Sequence, residues 1–118
     1  MEDFENMSTN PAPIGWVKFW TPRDDWYDLD EAARQTYLDG LARVLARAAE
    51  RGGRLLGTYK CRGQSPWAHF EVWEFPDLQV LIDLTSDLEE IGHYQYFAED
   101  HTVGRRYERA GQAASWVI

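Results

Sequence analysis

The sequence predicts an α+β domain: a four-stranded antiparallel sheet with two helices on one face, in the order βαββαβ. Three observations carry that prediction. Residues 28–53 form one long amphipathic run closed by paired glycines. Runs of alternating aromatic and β-branched residues lie before and after it, at 14–20, 54–62 and 66–75. Pro76 then separates the last of these from a second run with helical spacing.

Each element has its own local reason. "IGWVKFW" (14–20) puts Trp16, Lys18 and Trp20 on one side and Gly15, Val17 and Phe19 on the other, the two-residue period of a strand. In 28–53, Tyr37, Leu41, Val44, Leu45 and Ala48 follow a 3.6-residue spacing and make one buried stripe. Asp28 and Glu31 have the spacing of a capping box, and Gly52-Gly53 supplies a left-handed ending. "RLLGTYKCR" (54–62) is the second strand and "GQSP" a turn. "PWAHFEVWEF" (66–75) is the third strand: Ala68, Phe70 and Val72 make an ordinary core face, against Trp67, His69, Glu71, Trp73 and Phe75 on the other side. Pro76 suits the first turn of the second helix, which continues or restarts at Ser86, where Ser86 and Glu89 form another capping-box pair. "AEDHTVGRRYER" (98–109) holds the fourth strand, and Trp116, Val117 and Ile118 are apolar enough to dock. "MEDFENMSTNPAP" (1–13) is acidic, proline-containing and aperiodic; it predicts a disordered tail, leaving 14–118 as a single domain.

This order is the split β-α-β, or ferredoxin-like, arrangement, with spatial strand order 4-1-3-2. Strands 1 and 3 are then the central pair. Both faces of such a pair need cover, one from the helices and the other most simply from a second copy of the chain, so a homodimer is expected.

Composition narrows the function. A net charge of −8 argues against a nucleic-acid partner, which would need a basic face. No run reaches the ~18 apolar residues of a membrane span, and the N-terminus lacks a secretory pattern. The single cysteine, Cys61, cannot close an internal disulfide, and the expected location is cytoplasmic. The histidines His69, His93 and His101 fall in no metal-binding spacing, so no metal is expected.

Pairing strands 1 and 3 brings Lys18, His69 and Glu71 onto one face among Trp16, Trp20, Trp67 and Trp73. A charge in a covered layer needs a partner, and Lys18–Glu71 with His69 adjacent is the pairing that the topology supplies. Facing the helices, this group is an acid–base site in an aromatic box: Glu71 or His69 removes a proton from a flat substrate, Lys18 stabilises the resulting anion, and the tryptophans stack on the ring. Facing a partner subunit, the same group is a structural ion pair that fixes dimer register. Tyr59, His93, Tyr96 and Arg105 complete the candidate substrate-binding set. Arg105 could hold a substrate anion, or, with Arg106 and Arg109, pair with Glu99, Asp100 and Glu108 on an exposed edge. Trp26 either lids the cleft or packs its loop onto the first helix.

Three stretches also carry a resemblance: "WTPRDDWYDLDEAAR" (Pro22, Trp26, Leu29, Arg34), "VWEFP" closing the third strand, and "HYQYF" near the end of the second helix. Spread over most of residues 16–97, they resemble the dimeric α/β barrel superfamily, and within it the darcynin-like group; Tyr27-Asp28 departs from the more apolar pair of that group. The resemblance implies a sheet-to-sheet dimer and a pocket between sheet and helices. The superfamily includes cofactor-free monooxygenases, polyketide cyclases, isomerases, haem-degrading oxygenases and members without known activity. In the haem-degrading relatives a histidine on the second helix binds iron, which makes His93 the candidate here. The expectation is a small, cofactor-independent enzyme acting by acid–base chemistry (cyclisation, isomerisation or oxygenation) on a hydrophobic aromatic or polyketide-like molecule. The alternatives are a non-catalytic dimeric ligand-binding protein and a haem-binding monooxygenase-like protein.

Overall fold

The computed structural model describes residues 13–106. Strand β1 (Ile14–Pro22) leads through a one-turn helix α1 (Asp24–Asp28) to the long helix α2 (Glu31–Glu50). Strands β2 (Arg54–Lys60) and β3 (His69–Phe75) follow, then helix α3 (Leu78–Glu90), the short helix α4 (His93–Tyr96) and β4 (Phe97–Arg105). The sheet runs β2-β3-β1-β4 with every neighbour antiparallel, the expected ferredoxin-like order read from the other edge. The expected N-terminal tail, Arg109, Glu108 and the apolar C-terminal residues lie outside the described residues.

The two long helices each start at an aspartate. α2 begins at Asp30, whose Oδ1 accepts the Ala33 N–H at 2.8 Å. The expected box at Asp28 is displaced because Asp28 ends α1, so the chain needs a fresh cap to restart. Arg34 ties the two helices together, donating to the carbonyls of Trp26 at 3.3 Å and Tyr27 at 3.0 Å. α3 is capped by Asp77, which accepts the Val80 N–H at 3.1 Å, and Pro76 lies one residue outside it. α3 runs unbroken through Ser86, so the second capping box does not form: Leu84 and Leu88 hold both turns in the core. Asp77→Ala is expected to cost about 1 kcal/mol in urea unfolding.

Two glycines turn the chain where other residues would strain. Gly52 (φ 94°) closes α2 as expected, and Gly92 (φ 78°) ends α3 and aims α4 back at the sheet.

The core lies between the sheet and α2/α3. Ile14 and Trp16 of β1 with Trp73 and Phe75 of β3 pack against Val44, Ala48, Val80, Leu81, Leu84 and Leu88. The tryptophan-rich face therefore points at the helices. The face read as an ordinary core face, with Phe70 and Val72 beside Val17 and Phe19, is the open side of the sheet and only half-buried. The tryptophans Trp16 and Trp73 with Phe75 fill the gap between the layers.

A bulge between Leu55 and Gly57 reverses the side-chain parity of β2. Leu55 sits opposite Trp73 on the helix side, while Tyr59 sits opposite Phe70 on the open side. Tyr59 is half exposed there and stacks on Phe70 at 4.7 Å, away from the other candidate site residues.

Candidate functional site

A cleft of about 330 Å³ opens between the inner sheet face and α2. Its helical wall is Tyr37, Leu38, Leu41 and Leu45, with Leu84 and Leu88 of α3 beyond. Its floor is Lys18, Trp20, His69, Glu71 and Trp73, and Trp26, His93 and Phe97 close one end. The volume is at the lower end of the ~300–1,000 Å³ typical of small-molecule sites.

The charged floor is built by strand register. Lys18 lies opposite Glu71 on β3 and His101 on β4, and Trp20 lies opposite His69 and Glu99. The Lys18 ammonium is buried; it is 3.6 Å from Glu71 Oε1 and 3.3 Å from Glu99 Oε2, and lies 5.4 Å from the Trp16 ring centre. Glu71 is further fixed by the Trp73 indole N–H, which donates to Oε1 at 2.9 Å. His69 stacks on Trp20 at 4.3 Å. Among the described residues, the buried Trp20 Nε1 has no hydrogen-bond partner.

Glu99 is the hub. Its side chain is only 2% exposed, and it contacts Lys18, the His93 Nε2 and, at 2.9 Å, the His101 Nε2. Burial pushes its carboxyl up, but the hydrogen bond from His93, the charge of Lys18 and the contact with His101 hold it below its ordinary 4.5. The expectation of Glu99 as an exposed partner for arginine is corrected: Arg106 pairs with Glu74 instead, and Arg105 is exposed at the far end of β4, away from the cleft.

His93 rides α4, whose one turn is set by Gly92, and its ring is buried. Its Nδ1 is 2.6 Å from the Tyr37 hydroxyl while Nε2 meets Glu99, so both ring nitrogens are engaged. Tyr37, His93 and Phe97 pack together with Trp26 and Tyr96 as an aromatic plug. Trp26 thus does both of the things expected of it, packing on α2 and closing the cleft. Burial, with the nearby Glu99 carboxylate, pushes the Tyr37 and Tyr94 hydroxyls well above their ordinary 10.0.

These shifts set a pH window. The tyrosines stay protonated in the fold, so their contribution is complete below pH 10.0 and is lost as pH rises above it. Glu99 stays ionised in the fold, so its contribution is present above pH 4.5 and is lost as pH falls below that value. Urea midpoints across pH are expected to form a plateau that falls at both ends. With Glu99→Gln the acid shoulder is expected to shrink.

The structure thus brings Lys18, His69, Glu71, Trp20, Trp73 and His93 to one cleft. Trp16 lies beneath it in the core, Trp67 precedes β3, Tyr96 backs the plug, and Tyr59 and Arg105 lie elsewhere. Sequence reasoning missed Glu99, and it read Tyr37 only as helix core. The signal for Glu99 is its shared parity with Phe97 and His101, readable once β4 is in register with β1.

No curated protein matches the chain. Among solved structures, it superposes on the chlorite dismutase-like protein TA0507 with a TM-score of 0.69 at 19% identity, covering 100% of this chain and 57% of that one. It superposes on chlorite dismutase from Candidatus Nitrospira defluvii, in complex with imidazole, with a TM-score of 0.68 at 14% identity, covering 92% and 45%. It also superposes on RPA0582, a protein of unknown function from Rhodopseudomonas palustris, with a TM-score of 0.58 at 16% identity, covering 92% and 94%. The chain spans about half the length of the chlorite dismutase chains and nearly all of RPA0582. At these identities the likeness is one of fold, the ferredoxin-like α+β fold described above. Among the described residues, no helix is long and apolar enough to cross a membrane. Residues 15–116 match a family model, and on that match the chain belongs to the family of unknown function DUF6616.

Proposed function

We propose that the protein is a small acid–base enzyme that takes a flat, hydrophobic molecule into the cleft between sheet and α2. The observation that carries this reading is the direction of the tryptophan-rich face. It meets the helices across an open cleft, with the Lys18–Glu71 pair at the floor beneath leucine walls. A register device between subunits would have faced the other way. Glu71 or His69 removes a proton, the Lys18 ammonium stabilises the anion left on the substrate, and Trp20 and Trp73 lie against the ring. The reactions that fit are cyclisation, isomerisation or a cofactor-free oxygenation. The unpaired Cys61 suits a reducing compartment such as the cytoplasm.

The working form is a homodimer, sheet against sheet, because Val17, Phe19, Phe70 and Val72 with the exposed Tyr59 leave an apolar patch on the open face. The darcynin-like resemblance agrees with a pocket and a dimer and names no reaction.

A haem iron on His93 does not fit this arrangement. Backing of an imidazole by a carboxylate is what iron ligation uses, but the second ring nitrogen faces the Tyr37 hydroxyl at 2.6 Å. Adding haemin is expected to give no Soret band dependent on His93; a band abolished by His93→Ala would reinstate haem.

The direct test is substitution. Glu71→Gln and His69→Ala are each expected to lower turnover of an identified aromatic substrate by about a hundredfold or more while the dimer persists. Full activity in both variants overturns the assignment; a wild type that binds aromatic ligands in the cleft but turns none over would point to the ligand-binding alternative.

A further inference from the structure

A second chain of proton-carrying groups runs from the helical wall of the cleft back into the sheet. Tyr37 lines the cleft from α2, and its hydroxyl lies 2.6 Å from His93 Nδ1. His93 Nε2 meets Glu99, whose carboxylate is buried and backed by Lys18 at 3.3 Å and His101 at 2.9 Å. A hydroxyl, an imidazole and a buried carboxylate in line have the geometry by which an enzyme activates a hydroxyl: the carboxylate selects the tautomer and stabilises the imidazolium that forms. With Nε2 donating to Glu99, Nδ1 is left as an acceptor and Tyr37 as its donor.

We propose that Tyr37, His93 and Glu99 form an acid–base relay in which the Tyr37 hydroxyl exchanges a proton with the substrate, a hydrophobic carbonyl compound bearing an acidic α-C–H bond. The relay rests on the acid–base reading of the cleft and adds a second group to Glu71. In the forward step the substrate C–H bond breaks and a new O–H bond forms on Tyr37. The original Tyr37 O–H bond breaks at the same time, and its proton passes to His93 Nδ1. The electron pair stays on the substrate as an enolate facing Lys18, and the imidazolium lies against Glu99. Reversal delivers the proton to another atom of the enolate, so the net reaction is a proton shift that needs no oxidant, reductant or cofactor. Tyr37 and His93 are the catalytic pair, and Glu99 is a positioning residue.

Two measurements test this on the full chain. In ¹⁵N-histidine NMR at neutral pH, His93 is expected as the Nε2–H tautomer, and Tyr37→Phe is expected to keep it. A proton on Nδ1 overturns the relay, because His93 would then donate to Tyr37 and could not take its proton. In the second, deuterium uptake from D2O at the α-carbon of 2-tetralone is followed by mass spectrometry. The wild type is expected to catalyse uptake, and Tyr37→Phe and Glu99→Gln to slow it by about a hundredfold. Uptake that survives Tyr37→Phe but is lost in Glu71→Gln overturns the relay and leaves the proposed function standing. No uptake by the wild type overturns both.

Discussion

Lys18→Met is expected to destabilise the protein by ~3–5 kcal/mol in urea unfolding at pH 7. The lysine is buried and stands between two carboxylates, 3.6 Å from Glu71 and 3.3 Å from Glu99. Methionine fills the volume but leaves those acids facing each other in a layer that water reaches poorly. The deficit is expected to shrink as pH falls below 4.5, the ordinary value of the Glu99 carboxyl, because protonation removes the charges that lysine had compensated. Adding Glu99→Gln to Lys18→Met is expected to recover part of the loss, since the two sites share one network and their effects are not additive. A Lys18→Met variant as stable as the wild type across this range would mean that the network is hydrated and the cleft floor is not a buried layer.

On the proposed sheet-to-sheet assembly, the wild type is expected to run as a dimer in size-exclusion chromatography with light scattering, and Phe70→Asp as a monomer. Phe70 stands on the open face of the central pair, stacked on Tyr59 at 4.7 Å and against Phe19 at 5.5 Å. A carboxylate there would be desolvated without a partner, a penalty of several kcal/mol per ion. About 3 kcal/mol is already about a hundredfold in the dissociation constant. The monomer is expected to stay folded, because the core lies on the other side of the sheet. A dimer that survives Phe70→Asp, or a wild type that is monomeric, contradicts sheet-to-sheet assembly.

The elements and their order were legible because each has a local cause: two-residue alternation in β1 and β3, the apolar stripe of α2, and the glycine that ends it. Lys18 opposite Glu71 was legible too, because the topology makes β1 and β3 neighbours and their alternation does the rest. Four things were not. The inward face could not be read from alternation, since both faces of β1 and β3 are apolar enough to be covered. Tyr59 changed sides through the bulge at Leu55/Gly57, a backbone event with no periodic signature. Glu99 depended on the register of β4, where a slip of one residue reverses every side chain. His93 was visible as a candidate, but its partners were not: Tyr37 is 56 residues away in sequence, and only the αL turn at Gly92 brings them together.

The most direct test of the central claim, that the cleft between sheet and α2 receives a flat apolar molecule, is a titration of methyl-labelled leucines with 2-naphthol. Leu38, Leu41, Leu45, Leu55, Leu84 and Leu88 line the cleft, whereas Leu56 lies on an exposed strand and Leu78 at an exposed helix start. Saturable shifts confined to the first six are predicted, with intermolecular contacts from the naphthol ring to the Leu41 and Leu84 methyls. Shifts at Leu56 with none at Leu41 or Leu84, or no saturable shift at all, would contradict it.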